Sequence, residues 1–197
     1  VKPNENKMFG ISFTPKFKPK EKYLEELTPI SKLPKDHVAY QFCKLRMIPE
    51  KHHGILYYSD DFGSFMQKLD PDCLAVGKEE RLIIPFFNRH GDVVGAQGRH
   101  LTLKGEATAR TSARYITVKA DKSIDRLWYG LWRTDPKKKV YVVEGPLDSL
   151  FIPNTIAMVG AGAIEQVHPR LMESDVVYAL DNEPRNKQIV NYMDRLI

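Results

Sequence analysis

The stretch Val140-Tyr-Val-Val-Glu144-Gly-Pro-Leu-Asp148 decides the predicted fold, together with Val176-Val-Tyr-Ala-Leu-Asp181-Asn-Glu183-Pro184. In each stretch, a run of apolar residues, mostly β-branched or aromatic, ends at a carboxylate. Such runs are typical of strands that are buried on both faces of a parallel sheet. Thr155-Ile-Ala-Met-Val159 lies between them and predicts a third strand. Strands that alternate with helical segments predict an α/β fold with a parallel sheet and flanking helices.

The carboxylates that end these runs predict a cation site. Ligands of open α/β sheets bind at the carboxyl ends of the strands. Asp181 and Glu183 point the same way in extended backbone, and Glu144 meets them if the two strands are neighbours. Clustered carboxylates stay ionised only beside a counter-charge, and magnesium is the simplest one. Two such ions suit nucleotidyl transfer, in which a 3′-hydroxyl attacks an α-phosphate.

Ordinary alternatives remain open for some of these residues. Glu144 precedes Gly-Pro and could be a turn residue, while Asp148 could complement the dipole of a following helix. Gly160-Ala-Gly162 could approach a phosphate or simply turn the chain. The pair Asp181 and Glu183 is harder to explain away, because two ordinary surface acids seldom follow a buried strand.

Composition limits the class of protein. The 197 residues are 42% hydrophobic, which is enough for one or two small domains. No apolar run approaches the ~18 residues of a membrane span, and no signal peptide is evident. Cys43 and Cys73 have no metal-binding spacing, so a reducing, cytoplasmic compartment is expected. The net charge of +5 favours an anionic partner such as nucleic acid.

We divide the chain into an extended, partly mobile lead-in (1–34), a basic α+β subdomain (35–135) and an α/β domain (136–197). Asp36 predicts the start of a helix with Val38, Phe42 and Leu45 on its apolar face. A second helix is expected from Asp60-Asp61, burying its apolar residues Phe62, Phe65, Met66 and Leu69.

The centre of the chain predicts a β-hairpin with basic residues. Arg81–Phe87 and Asp92–Leu101 are its strands, and Gly95 and Gly98 indicate a bulge or the close approach of another chain. Arg81, Arg99 and Arg114 lie in this region and could bind phosphates, although arginines on strands are often only solvated. Tyr115 offers a stacking surface for a base.

These residues together resemble a known family. Glu144-Gly-Pro-Leu-Asp148, Ala157–Ala163 and Tyr178-Ala-Leu-Asp181-Asn-Glu183 are similar to the successive motifs of a Toprim domain. The hairpin from Arg81 to Arg99 resembles the signature of DnaG-type primases, which ends in Gly-Gly-Arg. Leu127-Trp-Tyr-Gly-Leu131 resembles the Leu-Tyr-Gly-Leu that precedes the catalytic strand of those enzymes.

The resemblance implies a primase catalytic core that makes RNA primers on single-stranded DNA from ribonucleoside triphosphates. It implies catalytic roles for Glu144, Asp148, Asp181 and Glu183, with magnesium, or manganese in its place, held by Glu144, Asp181 and Glu183. The residues it implies for template or nucleotide binding are Arg81, Arg99, Arg114, Tyr115, Lys122 and Arg126. A replicative helicase is the expected partner. The compact motifs suggest a phage-encoded enzyme acting in the bacterial cytoplasm.

The chain departs from the family pattern at several positions. Glu183 stands where the family usually has Asp, Gln97 replaces the first glycine before the arginine, and Ile124 replaces a lysine for which Lys122 or Arg126 could compensate. The zinc-binding domain of primases is expected to be missing, and 136–197 is expected to be an incomplete Toprim domain. The alternatives are a Toprim nuclease or topoisomerase-related enzyme, and a non-catalytic nucleic-acid-binding module.

Overall fold

The computed structural model describes residues 22–74, 77–102, 113–159, 168–181, 187 and 190–191. These residues form two β-sheets and two α-helices, α1 (Val38–Leu45) and α2 (Phe62–Leu69). Within them, no helix has the length and apolar character that crossing a membrane requires.

The first sheet has five antiparallel strands, which pair in chain order. Its strands are β1 (Thr28–Pro29), β2 (Tyr57–Ser59), β3 (Arg81–Phe87), β4 (Val93–His100) and β5 (Tyr115–Lys119). The long hairpin of β3 and β4 confirms the predicted one. Side chains alternate between the two faces of a strand, so residues two apart on β4 or β5 lie on the same face.

The predicted helix after Asp61 is confirmed. Asp61 Oδ1 accepts a hydrogen bond from the Ser64 backbone N–H at 3.1 Å, which caps the first turn of α2. The four predicted apolar residues are buried. Phe62 lies against Gly98 of β4, where a Cβ atom would come within 2.4 Å of the Phe62 ring. The close approach at Gly98 is therefore made by a helix of the same chain, not by another chain.

Gly98→Ala is expected to destabilise the fold by about 2 kcal/mol, because an added methyl overpacks a well-filled core. Urea denaturation measures the loss. Gly77→Ala is the matched control, since a Cβ atom at Gly77 meets nothing within 4 Å. Equal stability of the two variants would contradict the packing seen here.

Helix α1 is confirmed, but its predicted cap and apolar face are wrong. The ring of His37, not Asp36, caps it by accepting a hydrogen bond from the Ala39 backbone N–H at 3.2 Å. Val38 and Leu45 are exposed, whereas Phe42 is buried together with Ala39 and Cys43. The buried face is rotated because the small Ala39 and Cys43 let the helix lie close to the core.

The second sheet has four strands in the order β6-β8-β7-β9. They are β6 (Trp128–Tyr129), β7 (Val140–Val143), β8 (Thr155–Met158) and β9 (Val176–Tyr178). Strand β7 runs parallel to both β8 and β9, and β6 is antiparallel to β8. The predicted α/β sheet with a parallel core is confirmed.

Two details of this sheet differ from the prediction. Residues of β9, an edge strand of the described part of the sheet, are only half-buried. A full helix does not follow Glu144: a 3-10 turn at Asp148–Leu150 makes the connection, since Pro153 leaves little room before β8 begins. After Pro184, Lys187, Val190 and Asn191 are helical, and the other residues of this segment lie outside the described part of the chain.

The expected lead-in extends too far. Leu24 and Ile30 are buried in the core and Thr28–Pro29 pairs with β2, so the chain joins the fold before residue 34. Strand β6 belongs to the second sheet although it lies before residue 136. The division at 135 and 136 stays a prediction, and β6 suggests moving it towards residue 120.

His52 and His53 are packing residues with 1% and 3% exposure. Burial, with the nearby positive charge of Arg133 as a smaller cause, lowers the pKa of His52 to about 4. The unfolded chain binds a proton at His52 near pH 6.5 whereas the folded chain does not. Stability contributed by the neutral ring is therefore complete above pH 6.5 and is lost as the pH falls towards 4.

Acidification from pH 7 to 5 is expected to cost the wild type about 2 kcal/mol through His52 alone. Urea titrations at the two pH values measure this change. His52→Gln should flatten the dependence whatever its own stability, and His90→Gln, at an exposed position of the β3–β4 turn, should leave it unaltered. An identical pH dependence in the wild type and His52→Gln would contradict the assignment.

Candidate active site in the cleft between the sheets

Glu144 and Asp181 converge at the carboxyl ends of neighbouring parallel strands. Glu144 directly follows β7, and Asp181 comes three residues after β9. The Asp181 backbone N–H donates a hydrogen bond to Glu144 Oε1 at 2.9 Å. The predicted meeting of these two acids at one sheet edge is thus present. Glu183 lies outside the described residues.

Asp148 completes the acidic group from the turn that follows β7. A Cβ atom at Gly145 would lie 2.2 Å from Asp148 Oδ2, so the carboxylate rests directly on the Gly145 backbone. Although Asp148 as a residue is exposed to the cleft, partial burial of its carboxyl raises the pKa, and the negative charge of Asp181 raises it further. The positive charge of Arg46 acts in the opposite direction.

These acids fit a magnesium site chemically. Their oxygens are the hard ligands that magnesium prefers. The pKa of Asp148 is raised first by burial and then by the negative charge of Asp181, and a bound cation would favour its ionised form. The described residues alone contain no group of three or more acid, His or Cys side chains arranged to hold a metal ion.

A groove of about 900 Å³ brings these acids and a basic wall together. The wall is one face of β4 and β5, because Gln97 pairs with Thr117 and Arg99 pairs with Tyr115 across the two strands. All four side chains line the groove, which we call the cleft. Glu144, Asp148 and Asp181 line it as well, so the cleft lies between the two sheets.

Arg99 is held rigidly in this wall. It is 2% exposed, and its guanidinium lies over the rings of Phe42 and Tyr115, at 5.3 and 5.0 Å from their centroids. It donates hydrogen bonds to the carbonyl oxygens of His100 and Thr102. Burial lowers the pKa of Arg99, but an arginine stays charged in proteins. A buried, fixed cation at the cleft is suited to binding phosphate.

Arg114, Arg126 and Tyr115, which the resemblance implies for template or nucleotide binding, also line the cleft. Arg114 and Tyr115 are exposed, and the Arg126 guanidinium lies 5.9 Å from the centre of the Trp128 ring. The prediction missed Arg46, which follows α1 and reaches the same cleft. Only its place near the end of a helix was visible in the sequence, and nothing there related it to residues a hundred positions away.

Arg81 and Lys122 do not line the cleft, and their predicted roles in binding template or nucleotide stay predictions. Arg81 is fully buried and binds Glu79 and the carbonyl oxygens of Gly98 and Ala113. Its guanidinium is thus used in holding the first sheet. Lys122 forms ion pairs with Asp70 and Asp72, both at 2.8 Å, and links the end of α2 to the segment after β5.

Comparison with known proteins points to one family. The chain is 33% identical over 177 residues to the DNA primase of Enterobacteria phage T4, across 89% of this chain and 49% of that protein. It superimposes on the DnaG catalytic core with a TM-score of 0.61 and 18% identity, covering 83% of this chain and 60% of that one. The chain resembles the catalytic core of DNA primases.

Other solved primases agree with this resemblance. A primase domain from Pseudomonas aeruginosa matches with a TM-score of 0.61 and 16% identity, over 87% of this chain and 63% of that chain. A DnaG catalytic domain bound to single-stranded DNA matches with a TM-score of 0.57 and 18% identity, over 83% and 60% of the two chains. No family model matches. The primase-like chain spans about half the length of its T4 relative.

Proposed function

We propose that the protein is a DNA primase that makes short RNA primers on single-stranded DNA by magnesium-dependent nucleotidyl transfer. The observation that carries the proposal is the cleft, where acids from two parallel strands face a wall of arginines. The similarity of the chain to the T4 primase supports this function and a phage origin. The basic wall would bind the phosphates of a nucleic acid, and the acids would hold the magnesium that the reaction requires.

Glu144, Asp181 and Glu183 are the proposed magnesium ligands, and Asp148 adds negative charge beside them. Bound magnesium would stabilise the attacking 3′-oxygen and the departing pyrophosphate. The protein contributes orientation: the hydrogen bond from the Asp181 backbone to Glu144 keeps that carboxylate at the end of β7. Manganese has similar coordination preferences and is expected to substitute.

Template and nucleotide are proposed to lie in the cleft, along its basic wall. Arg99, Arg114, Arg126 and Arg46 would contact phosphates, and exposed Tyr115 would stack on a base. The DnaG domain solved with single-stranded DNA supports the choice of template. Ribonucleoside triphosphates as substrates, a replicative helicase as partner and action in the host cytoplasm complete the proposal.

Dinucleotide synthesis tests this function. The protein is incubated with single-stranded DNA of varied sequence, labelled ribonucleoside triphosphates and magnesium or manganese. We expect product that disappears when EDTA removes the metal and returns when metal is restored. Metal-dependent cleavage of DNA without synthesis would instead identify a Toprim nuclease. DNA binding with neither reaction under any metal would identify a non-catalytic module.

A further inference from the structure

Gln97 places an amide in the basic wall of the cleft, between two cations. The face of β4 and β5 that lines the cleft carries Arg99 and Tyr115 in one pair and Gln97 and Thr117 in the next. Lys119 lies one pair further along the same face. A neutral hydrogen-bonding pair thus separates two positive charges. Along a nucleic acid strand, sugars and bases separate the phosphates in a comparable way.

Within the described residues, the amide of Gln97 forms a hydrogen bond through its nitrogen but not through its oxygen. Its Nε2 donates a hydrogen bond to Thr117 Oγ1 at 3.0 Å. Gln97 is 7% exposed, and its Oε1 atom is buried with no hydrogen-bond partner in that part of the chain. An acceptor shielded from water and left unpaired is unfavourable, so a ligand that donates a hydrogen bond to it gains affinity.

The local backbone explains why a long side chain fits here. Gly98 faces α2, where Phe62 leaves no space for a Cβ atom, whereas Gln97 faces the opposite side of the strand and the cleft. The resembled primase signature has glycine at both positions. The amide is therefore a feature of this chain, added on the side where a nucleotide would lie.

We propose that Gln97 is a specificity-determining residue, whose Oε1 accepts a hydrogen bond from a hydroxyl or amino group of a nucleotide in the cleft, with Thr117 as the positioning residue. The inference rests on the proposed primase function. The ribose 2′-hydroxyl and the exocyclic amino groups of bases are the available donors. A site built around a donor discriminates against analogues that lack it, since the buried acceptor is then left unpaired.

The test compares substrates that differ in a single donor. Initial rates of dinucleotide synthesis are measured with ribo- and 2′-deoxyribonucleoside triphosphates, and with ATP and purine riboside triphosphate, which lacks the amino group. Gln97→Met keeps the size of the side chain and removes its hydrogen bonds. We expect it to reduce one of the two discrimination ratios about tenfold. Thr117→Val should reduce the same ratio by a smaller factor.

The ratio that changes identifies the donor. A change in the ratio between ribo- and 2′-deoxyribonucleoside triphosphates indicates the 2′-hydroxyl. A change in the ratio between ATP and purine riboside triphosphate indicates the amino group. Gln67→Met, on an exposed position of α2, is the matched control and should alter neither ratio. An equal loss on every substrate would show a purely structural role and overturn the proposal. Unchanged rates and ratios in Gln97→Met would overturn it too.

Binding separates this inference from the proposed function. Should the wild type make no dinucleotide, affinities are measured for single-stranded RNA and DNA of one sequence, and for oligonucleotides with and without the purine amino group. A ratio that Gln97→Met shifts about tenfold would support the inference although the polymerase function had failed. Ratios identical in the two proteins would overturn the inference while leaving synthesis to be judged by itself.

Discussion

Replacing Glu144 by glutamine is expected to reduce primer synthesis on the order of a thousandfold or more while leaving the fold and template binding intact. Glutamine has nearly the same shape, and its Oε1 can still accept the hydrogen bond that the Asp181 N–H donates at 2.9 Å. The negative charge at the end of β7 is lost, however. A magnesium site that depends on this charge is weakened, because an amide oxygen is a poorer ligand than a carboxylate.

The measurements separate catalysis from folding. Initial rates of dinucleotide synthesis are compared across a range of magnesium concentrations, together with thermal unfolding and the affinity for single-stranded DNA. Glu173→Gln makes the same chemical change at an exposed position and should behave as the wild type. If Glu144→Gln kept more than about a tenth of the wild-type rate, Glu144 would have no catalytic role. A parallel loss of unfolding temperature would instead indicate a structural one.

The acidic edge could be predicted from the sequence because few arrangements satisfy it. An apolar run such as Val140–Val143 must be buried, and parallel strands bring their carboxyl ends together. Glu144 and Asp181 therefore meet without any knowledge of side-chain packing. The same reasoning did not extend to Asp148, because its position depends on the conformation of the turn that follows β7.

The basic residues of the cleft were harder to predict. When both faces of a strand are buried, its sequence pattern does not show which side chains face the core and which face the cleft. Arg81 and Arg99 each lie in a β-type run of the sequence, and these runs alone do not show which arginine faces the cleft. Every residue of β3 is buried in the structure. The two arginines differ in their surroundings. Arg81 donates hydrogen bonds to Glu79 and to the carbonyl oxygen of Gly98, whereas Arg99 lines the open cleft. Arg46 illustrates the same limit over a longer distance. Its contribution to the cleft depends on how α1 packs against β4.

Removing two cleft charges together, in Arg46→Gln with Arg114→Gln, is expected to weaken single-stranded DNA binding on the order of a hundredfold at moderate salt. Both residues line the cleft, and each phosphate contact releases counterions. The slope of log affinity against log salt should fall by about 1.4. Neither guanidinium is fully buried, and glutamine keeps much of each aliphatic stem, so the fold should persist.

Fluorescence anisotropy with a labelled oligonucleotide, repeated from low to high salt, gives both the affinity and the slope. Arg89→Gln with Lys137→Gln is the matched control: it removes the same charge from exposed positions that do not line the cleft. If binding followed only the net charge of +5, both double variants would weaken it equally, because a diffuse field does not distinguish between positions. A large loss confined to the variant of Arg46 and Arg114 requires the single-stranded DNA to lie in the cleft that Glu144 also lines. An equal loss in the control would show that binding follows the diffuse net charge, and it would contradict the placement of the template in the cleft.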